Sequence, residues 1–329
     1  MSLIMAERNT LAIAVDIGGT NLRFALVDAA GCVLSRTRTL SRIDQGRDPF
    51  CRRLLEGISG MEHEAAARGG GVVGIGVGVP GLVGRDGVIH ASVNMRPLDG
   101  FVLSRFLEQQ TSLPSTCDND ANLIALGEAA HGAGRGLNSF VVITLGTGVG
   151  SGLILDGRIW SGVGGFAAEF GHVTVEPEGA PCSCGNRGCL EQYASASAIA
   201  RIAGELIKGE QADDVSPLDA ACVARLARQG RVEAQTAFEV AGRYLGIALA
   251  SLTTTLNLEA AIICGGVAPS LELMLPSLVN ELRMRCFTQI LADFSILRGE
   301  LGDDAGLLGA AATIRARVAH GIPGVPLIN

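Results

Sequence analysis

Two short segments of this chain share one grammar, and that repetition narrows the fold more than any other feature. Residues 11–15 form an apolar run that ends in Asp16. Ile17-Gly18-Gly19-Thr20 follows as a tight turn, and Asn21–Val27 alternates Leu22, Phe24 and Leu26 as a return strand. The pattern recurs at Phe140–Leu145, then Gly146-Thr147-Gly148, then residues 150–155. Two strand–glycine turn–strand units, each opening half of a 329-residue chain, predict a duplicated α/β architecture with two lobes.

The segments between them read as alternating helices and strands. Helical spacing runs over residues 50–67. A β-branched, glycine-spaced strand covers 72–79 and stops at Pro80-Gly81. A helix at 103–110, a strand at 116–119 and a helix at 121–131 follow. Helices dominate 198–255, a strand at Ala260–Cys264 ends in Gly265-Gly266, and a final helix spans 305–319. No low-complexity linker interrupts the pattern, so a hinge rather than a tether is expected between the lobes.

Bulk properties exclude several classes. Hydrophobic residues make up 48% and charged residues 18%, which suits a large core and argues against disorder. A net charge of −7 lacks the basic footprint of a nucleic-acid binder. The N-terminal residues lack the apolar core of a signal peptide. The most apolar helical stretch, 244–258, is too short and too polar to span a membrane. A cytoplasmic protein that binds neither nucleic acid nor membrane is expected. Nine cysteines without a secretory signal argue against a disulfide framework. Six of them (Cys32, Cys51, Cys117, Cys222, Cys264 and Cys286) are scattered and read as small buried apolar side chains.

The remaining three carry the most specific signal. Glu169-Phe-Gly-His172 is followed by Cys182-Ser-Cys184-Gly-Asn-Arg-Gly-Cys189-Leu-Glu191. Three thiolates and an imidazole at this spacing can close a tetrahedral Cys3His site around zinc. Such a set leaves no open coordination position, so the ion is expected to be structural. Glu169, His172 and Glu191 are polar groups that a metal-pinned loop would present to sugar hydroxyls, and Asn94 can join them or simply occupy a turn. The turn at Gly18, Gly19 and Thr20 suits an anion, with Asp16 placed to hold magnesium through water. The turn at Gly146, Thr147 and Gly148 matches it, and the pair suggests a nucleotide held by both lobes. Asn119-Asp120 lies at a strand-to-helix boundary. Asp120 there reads either as a helix cap or as the general base for phosphoryl transfer.

With these motifs in this order, the sequence resembles the ROK (repressor, open reading frame, kinase) family of sugar kinases from about residue 11 to 319. The resemblance implies an α/β, two-lobed actin/hexokinase-like (ribonuclease H-like) fold with duplicated lobes and an inter-lobe cleft that closes on ATP and sugar. It implies an ATP-dependent hexokinase acting on the 6-hydroxyl of glucose or a related hexose, with Asp120 as base. Asn94, Asn119, Asp120, Glu169, His172 and Glu191 are implied as sugar contacts. Asp16, Gly18, Gly19, Thr20, Gly146, Thr147 and Gly148 would serve ATP and Mg2+, with Gly265 and Gly266 nearer the nucleoside. His172, Cys182, Cys184 and Cys189 would hold zinc, and homodimers are common. The expected division is residues 1–118, completed by 305–329, against 119–304 with the zinc loop at 169–191. The resemblance equally implies a kinase of N-acetylmannosamine, N-acetylglucosamine, allose or fructose, since those members of the family use nearly the same residues. Some relatives are repressors with a DNA-binding module, for which some fifteen residues before Asp16 are too few. A sugar sensor without catalysis is the other class. Ala168 departs from the family's usual glycine, an extra methyl expected to shift the loop before Glu169.

Overall fold

In this computed structural model, residues 10–92, 95–208 and 218–320 are described. The strands are β1 (Thr10–Ile17), β2 (Asn21–Val27), β3 (Val33–Leu40), β4 (Gly71–Val79), β5 (Leu82–Val83), β6 (Ile89–Ala91), β7 (Ser115–Asn119), β8 (Phe140–Leu145), β9 (Val149–Leu155), β10 (Arg158–Ile159), β11 (Ala260–Cys264) and β12 (Ser295–Arg298). The helices are α1 (Arg47–Ala67), α2 (Leu103–Thr111), α3 (Asp120–His131), α4 (Glu191–Ala194), α5 (Ala196–Lys208), α6 (Ala220–Arg228), α7 (Val232–Leu256), α8 (Leu271–Arg285), α9 (Thr288–Ala292) and α10 (Ala305–His320).

Two five-stranded sheets have the orders β3-β2-β1-β4-β7 and β10-β9-β8-β11-β12. Their plans match. In the first, β2–β3 is antiparallel while β1–β4 and β4–β7 are parallel. In the second, β9–β10 is antiparallel while β8–β11 and β11–β12 are parallel. The duplication expected from the two glycine turns is therefore a duplication of sheet topology. By compactness the chain forms two units. One comprises residues 1–136, Gly152–Ala167 and 303–329, and the other Leu137–Ser151 and Ala168–Gly302.

In the first unit, alternation of residue size along the strands decides which helix packs where. The large side chains Leu11, Ile13 and Val15 of β1 and Ile75, Val77 and Val79 of β4 meet Phe50, Leu54 and Ile58 of α1 in one buried cluster. The alternate positions, Ala12, Ala14, Gly74 and Gly76, leave the other face nearly flat. Helix α10 lies against it so closely that a Cβ on Gly76 would sit 2.0 Å from the Ala310 carbonyl oxygen. The glycine spacing of β4 is thus a packing requirement of α10.

In the second unit, β8 and β11 are almost continuously buried, as expected for central parallel strands. Helix α7 buries Ala237, Phe238, Ala241, Leu245, Ala248 and Leu249, and it ends at Asn257 in the left-handed conformation. The apolar stretch at 244–258 is thus the end of a packed helix. Among the described residues, no helix is long and apolar enough to cross a membrane.

Sequence reading placed β1, β2, β4, β7, β8, β9, β11 and α10 to within about two residues. It missed β3 and β12, edge strands whose residues are mostly exposed or half-buried, so no alternation of apolar side chains marks them. It also missed α8, which contains Pro276. The scattered cysteines are less buried than expected. Cys51 and Cys264 are buried, whereas Cys32 is exposed.

Candidate functional site

In the first unit the polar residues gather where parallel strands end. Asp16 is in register with Gly78, and Gly78 with Asp118, so Asp16, Asp118, Asn119 and Asp120 share the carboxyl edge of β1, β4 and β7. Ligands of open α/β sheets bind at this edge. Hydrogen bonds close the Asp16 turn and tie it to Ser41. Gly18 N–H donates to Asn21 O at 2.8 Å, and buried Ser41 ties back two turn carbonyls, Gly19 O through its hydroxyl at 2.6 Å and Thr20 O through its N–H at 2.8 Å.

Asp16 has a partner that sequence reading did not name. Arg23 donates from Nε at 2.7 Å and Nη2 at 2.5 Å, both to Oδ2, while its Nη1 donates to Asp303 O at 3.1 Å. The signal was present in the hairpin register, which pairs Asp16 with Arg23. A magnesium ion held through Asp16 would share that carboxylate with a guanidinium.

The start of α3 corrects one reading. Asp120 was weighed as the helix cap, but the cap is Asn119, whose Oδ1 accepts from Ala121 N at 2.9 Å and Asn122 N at 3.1 Å. Its Nδ2 donates to Gly81 O at 3.0 Å, so the amide is fixed at both ends. Asp120 is the first helical residue, and its Oδ1 lies 2.9 Å from Ala121 N. Asp118, also missed, accepts from Asn119 N at 2.7 Å and Asn122 Nδ2 at 3.0 Å. Burial pushes its carboxyl above the usual range, against the pull of those two donors. Asn94 lies outside the described residues.

In the second unit, the Gly146 turn and the Gly265-Gly266 turn are neighbours. β8 and β11 are paired in parallel, with Cys264 opposite Thr144, so Gly146 and Gly265 begin loops at the same edge. Val267 N–H donates to Leu145 O at 3.0 Å. The Gly146 turn closes through Gly146 N–H to Gly148 O at 3.0 Å, and Gly146 O accepts from Ala196 N at the head of α5 at 2.8 Å.

β9 then holds both acidic candidates. Glu191 Oε2 accepts from Val149 N–H at 3.0 Å, and a Cβ on Gly148 would lie 2.3 Å from that same oxygen. Two residues on, the buried Ser151 hydroxyl donates to Ala168 O and accepts from Phe170 N at 3.3 Å. Glu169 lies between those two groups. Ala168 sits at φ 66°, a left-handed conformation that costs an L-residue roughly 1–2 kcal/mol. The expected shift from the extra methyl is therefore a matter of backbone conformation. Burial raises the Glu169 carboxyl above its usual range; His172 opposes that shift and Glu191 adds to it.

His172, Cys182, Cys184 and Cys189 come together with all four ligand atoms within 4.8 Å of one another. Cys182 Sγ is 3.7 Å from His172 Nδ1, and Cys184 Sγ is 3.6 Å from Cys189 Sγ. Ligand atoms about 2.3 Å from a tetrahedral zinc would be ~3.8 Å apart, so the set fits the ion. Burial pushes the Cys182 thiol up, but the Cys184 N–H and the adjoining Cys184, His172 and Cys189 groups bring it down to about 7. Local backbone shapes the loop through Cys182 N–H to Asn186 O at 2.8 Å and short antiparallel bridges pairing Thr174 with Cys189 and Pro181 with Arg187. Tyr244 braces it from α7 by donating to Glu176 at 3.0 Å.

A glucokinase of Halalkalibacterium halodurans is 34% identical over 92% of this chain and 94% of its own length. A xylose repressor of Bacillus subtilis is 29% identical over 95% of this chain and 79% of its own length. The crystal structure of a ROK family glucokinase from Streptomyces griseus in complex with glucose and AMPPNP superposes with a TM-score of 0.78 at 31% identity, covering 93% of this chain and 99% of that one. The ROK family profile matches residues 12–317, and the chain belongs to the ROK family, with its two-lobed, actin-like α/β fold.

Proposed function

We propose that the chain is an ATP-dependent hexose kinase that phosphorylates the 6-hydroxyl of glucose. One arrangement carries this reading. Glu191 accepts the N–H of Val149, the residue that follows the Gly146–Gly148 turn, so a carboxylate suited to sugar hydroxyls and a turn suited to phosphates are parts of one strand end. The relatives named glucokinase, and a neighbour crystallised with glucose and AMPPNP, support the same substrates.

Asp120 is the proposed base. It takes the proton of the attacking hydroxyl, and positioning supplies much of the remaining rate. Asn94, Asn119, Glu169, His172 and Glu191 bind the sugar. Asn119 already spends its Oδ1 on the helix cap, which makes it a rigid neighbour for Asp120. The Asp16–Thr20 and Gly146–Gly148 turns receive phosphates, Asp16 serves Mg2+ through water, and Gly265-Gly266 lies toward the nucleoside. His172, Cys182, Cys184 and Cys189 hold a structural zinc. Nδ1 of His172 faces Cys182 and would be the metal ligand, which leaves Nε2 for a sugar hydroxyl. A homodimer completes the proposal.

ADP release with glucose, N-acetylmannosamine, N-acetylglucosamine, allose and fructose tests it. Glucose with the highest kcat/KM is the expected result. If another hexose leads, the substrate assignment falls. If one hexose binds and none stimulates ATP turnover, the sensor reading replaces the kinase, a class consistent with the repressors among the relatives.

A further inference from the structure

We infer that Ser151 is a positioning residue for Glu169, and that the strained Ala168 is what it holds in place. The inference rests on the reading of Glu169 as a sugar contact. Ser151 is buried at 5% exposure and lies on β9 two residues beyond Val149. Val149 uses its N–H to hold the Glu191 carboxylate, and Ser151 uses its hydroxyl on the segment that carries Glu169. One strand therefore contacts both acids, Glu191 through a backbone N–H and the segment of Glu169 through a side chain.

The hydroxyl acts on backbone. It donates to Ala168 O and accepts from Phe170 N, the two polar groups that flank Glu169. Ala168 has φ 66°, and Glu169 has φ −74° and ψ 53°, which is neither helical nor extended. An alanine does not keep a left-handed conformation unless its surroundings enforce it. The Ser151 hydroxyl grips both ends of the pair, and His172 N–H donates to Glu169 O at 3.0 Å on its far side. Without the hydroxyl, the Ala168 peptide relaxes toward ordinary φ and swings the Glu169 carboxylate away.

The experiment compares Ser151→Ala with the double variant Ser151→Ala/Ala168→Gly, in the full chain. For Ser151→Ala we expect the sugar KM to rise about tenfold, equivalent to ~1.4 kcal/mol, with kcat and the ATP KM within about twofold. The Phe170 amide should lose hydrogen-exchange protection. Adding Ala168→Gly should restore much of the sugar KM, because glycine takes the left-handed conformation without penalty. A residue with a merely structural role would lower Tm, leave the sugar KM unchanged and show no rescue. An unchanged sugar KM with normal Phe170 protection overturns the inference. If the wild-type chain turns over no hexose, the kinase reading fails on its own. Exchange at Phe170 then still decides whether Ser151 holds this segment, with lost and rescued protection supporting it and unaltered protection refuting it.

Discussion

Gly148→Ala is the sharpest perturbation of the proposed site, because its effect can be worked from one contact. Gly148 does not have a positive φ, so its backbone tolerates alanine, and the cost is steric. The new Cβ would lie 2.3 Å from Glu191 Oε2 and 3.2 Å from its Cδ. Ordinary carbon–oxygen contact needs about 1 Å more, so the carboxylate must retreat by ~1 Å. Val149 N–H donates to that oxygen at 3.0 Å, and a retreat of this size breaks the bond. A hydrogen bond to a charged group is worth ~1.5–3 kcal/mol, which corresponds to about 10- to 100-fold in an equilibrium constant. If Glu191 binds the sugar, the loss appears in the sugar KM. Steady-state kinetics with sugar and ATP varied separately, for wild type, Gly148→Ala, Glu191→Ala and the double variant, form a cycle. The expected result is a sugar KM raised at least tenfold in Gly148→Ala, with no further rise when Glu191 is already alanine. An unchanged sugar KM, or fully additive effects, would refute the argument that Gly148 acts through Glu191.

Three other perturbations test separate parts of the site. Asp120→Asn should lower kcat by about 10²–10⁴ with little change in Tm, because the helix is capped by Asn119; near-normal turnover removes Asp120 from the base role. Cys189→Ser, or removal of zinc by a chelator, should raise the sugar KM or unfold the 172–189 loop while sparing the phosphate turns. Metal analysis should find about one zinc per chain, and a metal-free protein with full activity contradicts the assignment. Asp118 tests linkage. Burial raises its carboxyl above the ordinary 3.8, so the folded chain binds that proton more tightly than the unfolded one. Its contribution to stability is therefore greatest at low pH, declines as pH rises from 3.8 through the folded value, and is level above it. Asp118→Asn keeps an oxygen for Asn119 N–H and Asn122 Nδ2 and removes the charge. Its Tm relative to wild type should rise as the pH is raised above 3.8; a constant or falling difference would show that ionisation of Asp118 costs the fold nothing.

Much of this protein is decided by local sequence. The strand–glycine turn–strand units, the Cys3His spacing and the apolar periods of β1, β4, β8 and β11 depend on residues close along the chain. They are governed by period and turn chemistry, and they are legible without a structure. The clustering of the four candidate metal ligands was readable for the same reason, since three thiols and one imidazole fall within eighteen residues and their loop is built from its own backbone bonds. Tertiary structure decided what depends on partners distant in sequence. The edge strands β3 and β12 exist because a neighbour offers backbone groups to pair with, not because their side chains alternate. Gly74 and Gly76 are small because α10, more than two hundred residues later, rests on them. Arg23 fastens Asp16 only once the hairpin has closed. Asn119 rather than Asp120 caps α3 because cap geometry follows the backbone dihedrals at the strand end. The arrangement by which Val149 and Ser151 hold Glu191 and Glu169 joins residues 17 to 42 positions apart. A hydrogen bond of that span has no periodic signature, since it is selected by packing rather than by neighbouring residues.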